Sequence, residues 1–201
     1  SSQGLTTGYT RIIPITTHQL TPGRHLLTAC ISVSGDTVHS NDTIRRVFNV
    51  RFCAGSYTVG PASGNDYASL QMLLDTLSNA GVAGAVTFLL DGINHTGQYT
   101  FGPVYGTSYT QPVRFETHPF ATDTACIMFA PTQANNYVVN IENAKNIIFN
   151  KVNFYATYTG TASAQYTNVI RVTGSENITF PKTAPATRKF AAALQSPSMS
   201  N

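Results

Sequence analysis

The sequence predicts an all-β chain whose second half winds into stacked parallel coils, and three observations carry that expectation. Sliding the chain by 31 residues lays Val138-Val139-Asn140-Ile141 over Val169-Ile170-Arg171-Val172, and Asn146-Ile147-Ile148-Phe149 over Asn177-Ile178-Thr179-Phe180, an internal repeat. Charged residues make up only 10% of the 201, against about 25% in an average soluble protein, whereas Thr, Ser, Asn, Gly and Tyr abound. Asn135, Asn136, Asn140, Asn143, Asn146, Asn150 and Asn153 crowd into nineteen residues, and Asn tolerates the left-handed backbone of sharp strand-to-strand bends.

Each copy of the repeat holds two short apolar strands around a polar corner, Glu142-Asn143-Ala144-Lys145 in one and Thr173-Gly174-Ser175-Glu176 in the other. Runs this short cannot bury a face alone. Stacked parallel and in register about 4.8 Å apart, they put Phe149 over Phe180 and Ile147 over Ile178 in one apolar column, the geometry of a parallel β-helix. Asn146 over Asn177 would make a side-chain amide ladder. Lys145 would meet Glu176 as an exposed pair worth about 0–1 kcal/mol, a register aid rather than a site.

The remaining elements follow in order. Residues 1–52 read as antiparallel strands and turns: a strand over 10–16 interrupted by Pro14, a turn at Thr21-Pro22-Gly23-Arg24, an alternating strand over 26–33, a turn at Ser34-Gly35-Asp36, and a last strand from Thr43 to Phe52. Residues 53–64 form a linker and first short strand closed by Gly60-Pro61, the expected domain boundary. Residues 65–181 hold a capping helix and the first coils. The helix, over about 65–80, would be capped by Asn65 or Asp66, would place Tyr67, Leu70, Leu73, Leu74 and Leu77 on one face, and would stop at Gly81. Its polar side carries Gln71, Asp75 and Ser78. Strands at 86–90, 98–101, 113–117 and 127–129 lead into the repeat. Residues 182–201, rich in proline and alanine and without strand alternation, are expected to be a disordered or non-native tail.

Two stretches resemble known families. The run Leu20-Thr21-Pro22-Gly23-Arg24-His25-Leu26-Leu27-Thr28-Ala29, with Ser34-Gly35-Asp36 and Ser40-Asn41-Asp42-Thr43, resembles the closing strands of Ig-like modules of the CARDB type in large secreted bacterial proteins. It covers about the second half of such a module and implies a spacer or adhesive domain without catalysis. The order Tyr57-Thr58-Val59-Gly60, helix at 66–80, Gly84-Ala85-Val86-Thr87-Phe88, Gly97-Gln98-Tyr99-Thr100-Phe101, Pro112-Val113-Arg114-Phe115 resembles the amino-terminal cap and first coils of right-handed, pectin-lyase-like β-helix proteins, nearest to those of the Bacteroidetes type. That likeness spans roughly 54–180. It departs at Asp91-Gly92-Ile93-Asn94, where the family usually has a Pro-Gly-Thr-Tyr-like turn, which implies a looser or longer first coil. Together the resemblances imply a partial Ig-like β-sandwich followed by the start of a right-handed parallel β-helix with one N-terminal capping helix.

Composition narrows the function classes. A net charge of +3 with no basic face argues against a nucleic-acid partner, and no run approaches the length of a membrane-spanning helix. The chain shows no signal peptide and no initiator Met, so it reads as a piece of a longer precursor. Cys30, Cys53 and Cys126 match no metal spacing; buried apolar thiols are the preferred reading, a Cys30–Cys53 disulfide the alternative. Asp36 and Asp42 read as turn formers rather than calcium ligands. No metal or cofactor is expected. Asn41, Asn94 and Asn177 head N-glycosylation sequons. Asp36, Asp42, Asp75 and Asp123 each precede Thr in a pattern like the short O-glycosylation motif of Bacteroidetes surface proteins.

Two groups are candidate sites. Arg114, Glu116 and His118 alternate with Val113, Phe115 and Thr117 and would project outwards together if the strand continues to His118. An acid and an imidazole on one face can perform acid–base work. The same pattern belongs to any solvated strand face, which is the preferred reading, and no second carboxylate is tied to Glu116 as a glycosidase would need. Tyr99, Phe101, Tyr105 and Tyr109 form an aromatic stretch that could stack sugar rings, with packing against the first coil as the preferred alternative. The expected function is therefore a non-catalytic, secreted or cell-surface β-helix fragment that is adhesive or binds a polysaccharide or cell-surface glycan. The alternative is the N-terminal part of an extracellular polysaccharide lyase or glycoside hydrolase whose active coils lie beyond residue 180. A structural stalk is a third reading.

Overall fold

Short strands with one apolar side need neighbours above and below, and this chain finds them by coiling. The computed structural model describes residues 20–30, 35, 37, 40, 43–132, 134–157 and 168–181. The expected strand over 10–16, the turn residues Asp36 and Asp42, and the tail over 182–201 lie outside the described residues.

The elements are β1 (Gly23–Cys30), β2 (Thr43–Val50), β3 (Gly55–Val59), α1 (Leu70–Ala80), β4 (Val86–Leu90), β5 (Asn94–Thr96), β6 (Tyr99–Phe101), β7 (Val113–Thr117), β8 (Cys126–Phe129), β9 (Tyr137–Glu142), β10 (Lys145–Asn150), β11 (Asn153–Ala156), β12 (Asn168–Thr173) and β13 (Glu176–Thr179). From β3 onward every pairing between strands is parallel. One sheet runs β3-β4-β7-β10-β13, a second β5-β8-β11, and a third β6-β9-β12. From β4 on, successive strands pass from sheet to sheet in turn, so the chain climbs a three-sided β-solenoid of about four turns. Gly55, Val86, Val113, Ile147 and Ile178 occupy one column.

Register makes the core. Tyr57, Phe88, Phe115 and Phe149 share the next inward column, and Phe180 continues it. Ring centroids are 5.9, 5.4, 5.4 and 5.2 Å apart up the stack, and the Phe149 and Phe180 rings are nearly parallel, at 9°. The repeat alone foretold Phe149 over Phe180; the structure shows the column reaching back to Tyr57 on β3. Phe52, placed by sequence at the end of the first segment, is fully buried and meets Phe88 edge-on at 5.2 Å.

The corners fold as their residues require. Asn143, Asn146 and Asn177 have φ of 51°, 56° and 53°, the left-handed region Asn tolerates, and Lys151 joins them at 52°. Asn177 Nδ2 donates to Asn146 Oδ1 at 2.7 Å, the expected ladder. Ser175 ties the two corners together, accepting from the Ala144 N–H at 3.0 Å and donating to the Ile141 carbonyl at 3.2 Å. Lys145 and Glu176 pair at 3.0 Å in solvent.

The helix begins later than its apolar spacing suggests. Ser69, not Asn65 or Asp66, is the N-cap, accepting from the Met72 N–H at 3.2 Å. Asp66 instead turns back on β3, where Oδ2 accepts from the Thr58 N–H at 2.7 Å, and Asn65 donates to Asp91. Tyr67 mimics a helical position because it is buried, but it reaches the core as an isolated bridge to Val59. Gly81 ends the helix as expected: its φ is 67°, and a Cβ there would lie 2.6 Å from the Tyr105 carbonyl oxygen.

At the other end, β1 and β2 form an antiparallel ribbon packed against α1. A sandwich needs a second sheet about 10 Å away. Among the described residues no second sheet faces this ribbon, and Leu26, Leu27, Ile44 and Val47 are exposed, so the described part of the segment is a two-stranded ribbon. Cys30 and Cys53 are exposed and free, which corrects both readings of that pair, while Cys126 is buried.

Candidate functional site

Strand alternation sets the first candidate. Val113, Phe115 and Thr117 point inward, leaving Arg114 and Glu116 half-buried on the outer side of the five-stranded sheet. Register fixes their neighbours: Arg114 lies between Thr87 and Ile148, and Glu116 between Leu89 and Asn150. Ser56, Thr58, Thr87, Asn150 and Thr179 add hydroxyl and amide groups to this side, in rows spaced about 4.8 Å apart.

His118 does not join them. β7 ends at Thr117, whose buried hydroxyl donates to the Lys151 carbonyl of the next coil and accepts from the Ala125 N–H at 3.0 Å. The His118 N–H donates to the Leu90 carbonyl at 2.7 Å, its Nδ1 accepts from the Phe120 N–H at 3.3 Å, and its ring tilts over Phe120 at 5.7 Å. The imidazole is thus a corner acceptor, and the expected trio becomes the pair Arg114 and Glu116.

The aromatic candidates divide. Tyr99 and Phe101 are inward residues of β6 and are buried. The Tyr99 hydroxyl donates to the Thr96 carbonyl at 3.3 Å, and burial pushes its pKa up. Phe101 meets Phe115 and Phe149 edge-on, each at 4.9 Å. Neither ring can be offered to a ligand, because the core occupies its faces. Tyr105 and Tyr109 are 68% and 84% exposed, and the Arg51 guanidinium lies 4.4 Å from the Tyr105 ring centroid.

Other polar groups escaped the sequence reading. His95 on β5 faces the interior in register with Ile127, and its Nε2 lies 3.1 Å from the Asp91 carbonyl, which makes Nε2–H the donor. Desolvation lowers its pKa, partly countered by that carbonyl and by the Asp91 carboxylate. Burial likewise pushes Tyr67 up to about 12. On the third sheet, Arg171 Nε donates to Asn140 Oδ1 at 3.0 Å, Asn140 Nδ2 donates to Glu142 Oε2 at 3.1 Å, and the Arg171 guanidinium covers the Tyr137 ring at 4.2 Å. The pairing of Asn140 with Arg171 was implicit in the 31-residue repeat, which lays one over the other.

A cavity of about 350 Å³ opens between α1 and β6. Gln71, Asp75 and Ser78, one helical face, look across it at Gln98 and Thr100. Its apolar floor includes Leu74, Leu77 and Phe101, with Val104 at its side. Among the described residues no three His, Cys, Asp or Glu gather as metal ligands, and no helix is long and apolar enough to cross a membrane. The chain matches no protein-family model, no curated protein and no solved structure.

Proposed function

We propose that this chain is a non-catalytic part of a secreted or cell-surface right-handed β-helix protein that adheres to, or binds, a polysaccharide or cell-surface glycan. The observation that carries the reading is the company Glu116 keeps. Its register neighbours are Leu89 and Asn150, neither of them an acid, and the Asp66 carboxylate two strands away in the same row is held by the Thr58 N–H and hydroxyl, so no second carboxylate stands free beside Glu116 to work across a bond to be cut. Rows of such groups at strand spacing suit many weak hydrogen bonds to an extended polyol. The resemblances to pectin-lyase-like coils and to the end of an Ig-like module support an extracellular setting. The lyase or hydrolase alternative has one observation on its side, that Arg114 and Glu116 share a half-buried face.

A glycan array probed with the full chain, followed by incubation with the polysaccharides it retains, tests this. Retention without new reducing ends or unsaturated products is expected. Products that disappear in Glu116→Gln would replace the binding reading with the enzymatic one, and retention of no glycan at all would remove it.

A further inference from the structure

The cavity between α1 and β6 has no part in the outer-face argument, and its chemistry is specific. Asp75 Oδ1 accepts from Gln71 Nε2 at 2.8 Å, while no described residue donates to Oδ2. Gln98 spends Nε2 on the Tyr137 carbonyl at 2.8 Å, which leaves its amide oxygen to accept. Ser78 Oγ donates to the Asp75 carbonyl at 2.9 Å and so keeps its lone pairs. The polar walls therefore offer acceptors at Asp75 Oδ2, the Gln98 amide oxygen and Ser78 Oγ and a second N–H on each glutamine, and no Lys or Arg lines the cavity. A ligand that fits brings groups that both donate and accept, as hydroxyls do, and no negative charge. It must also lay an apolar face on the floor of Leu74 and Leu77, beside Val104. The volume is at the small end for ligand pockets, room for one ring rather than a chain.

We propose that this cavity is a binding site for a single neutral pyranose, the terminal or branching residue of a glycan, and that it excludes uronic acids. Vicinal ring hydroxyls donate to Asp75 Oδ2 and the Gln98 amide oxygen, the axial C–H face rests on the leucines, and a uronate carboxylate is repelled by Asp75. This assignment rests on the glycan-binding reading and names a second, separate contact for it.

The test is amide chemical-shift mapping on the full chain, titrated with glucose, galactose, mannose, N-acetylglucosamine and galacturonate up to about 20 mM, the range in which a millimolar site saturates. At least one neutral sugar is expected to shift residues 71–78 and 98–104 with a millimolar Kd. Galacturonate should bind at least about tenfold more weakly, a ratio worth about 1.4 kcal/mol. Asp75→Ala and the milder Asp75→Asn should each weaken binding by about tenfold or more without moving Tm, as expected for one lost charged acceptor at an exposed helix position. Ser78→Tyr, which fills the space, should abolish it.

No shifts at these residues, unchanged binding in the Asp75 variants, or tighter binding of galacturonate would each overturn the assignment. So would a preference for a simple amine such as ethanolamine over every sugar. If the chain and its Asp75→Ala variant are retained equally on a glycan array, the cavity fails while the glycan reading stands. If neither the array nor the titration shows binding, both fail.

Discussion

Replacing Phe149 by alanine should be among the most damaging changes in the solenoid, because its ring is 2% exposed and touches four others. It stacks on Phe115 at 5.4 Å and Phe180 at 5.2 Å, and meets Phe101 and Phe154 edge-on at 4.9 and 5.4 Å. Losing the buried side chain forfeits about 2–3 kcal/mol of transfer free energy. A void of roughly 80–100 Å³ left between fixed strands adds about 2 kcal/mol. The expected cost is therefore about 4–5 kcal/mol, a large share of the roughly 5–15 kcal/mol that stabilises a typical domain. Phe180, 39% exposed, stacks among the described residues on Phe149 alone and meets Phe154 edge-on at 6.0 Å, and its truncation should cost about 1–2 kcal/mol. Urea unfolding followed by circular dichroism of the sheet signal measures both, since the chain has no tryptophan to report by fluorescence. Equal costs for the two variants, or a Phe149→Ala cost below about 1.5 kcal/mol, would refute the continuous column. Phe149→Asp should be worse still, placing an unpaired carboxylate in the stack.

Three further outcomes follow from the corners and the buried histidine. Asn177 combines a left-handed φ of 53° with the amide bond to Asn146, so Asn177→Ala should lose about 1–2 kcal/mol and Asn177→Gly, which keeps the backbone freedom, clearly less; equal losses in urea titration would deny the backbone contribution. Gly81→Ala meets both a positive φ and the Tyr105 carbonyl and should cost about 2–4 kcal/mol in the same assay, whereas Gly102→Ala, whose Cβ would meet nothing within 4 Å, should cost under about 0.5 kcal/mol. His95 has its folded pKa depressed by burial, so below the ordinary value of about 6.5 the unfolded chain takes up a proton that the folded chain resists. Its share of stability is full above about pH 6.5 and declines as pH falls through that value toward the depressed folded one, so His95→Leu should flatten the stability profile between about pH 7.5 and 5.5; an unchanged slope would count against the assignment.

What could be read from the sequence was what repeats at a fixed interval. Residues 137–149 lie over 168–180 at a constant offset of 31, so Ile147 over Ile178, Asn146 over Asn177 and the Lys145–Glu176 pair were all legible. The earlier coils differ in length: Val86 lies over Val113 and Val113 over Ile147, offsets of 27 and 34, because corners of unequal size are inserted between strands of conserved direction. No single shift of the sequence aligns Phe88, Phe115 and Phe149, though each sits in an expected strand, and only the hydrogen-bonded register brings them together. β5 and β11 were missed for another reason. Three or four residues such as Asn94-His95-Thr96 show no apolar alternation when their one inward residue is a histidine, and their strand form depends on pairing with β8.

The same division applies to the candidate residues. Alternation is a local property, and it placed Arg114 and Glu116 correctly on one side of β7. Where the strand stops is not local: it is decided by Thr117 bonding the Lys151 carbonyl 34 residues on. That is why an imidazole two residues beyond Glu116 belongs to a corner instead of the face. The cavity was out of reach for a related reason. The helix's polar stripe of Gln71, Asp75 and Ser78 was visible at i, i+4 and i+7 and reads as a solvated face in any isolated helix. It becomes a wall only because the fold brings Gln98 and Thr100, at and beside β6, to the same cavity. A polar stripe therefore separates into solvent face and cavity wall by what the fold puts in front of it.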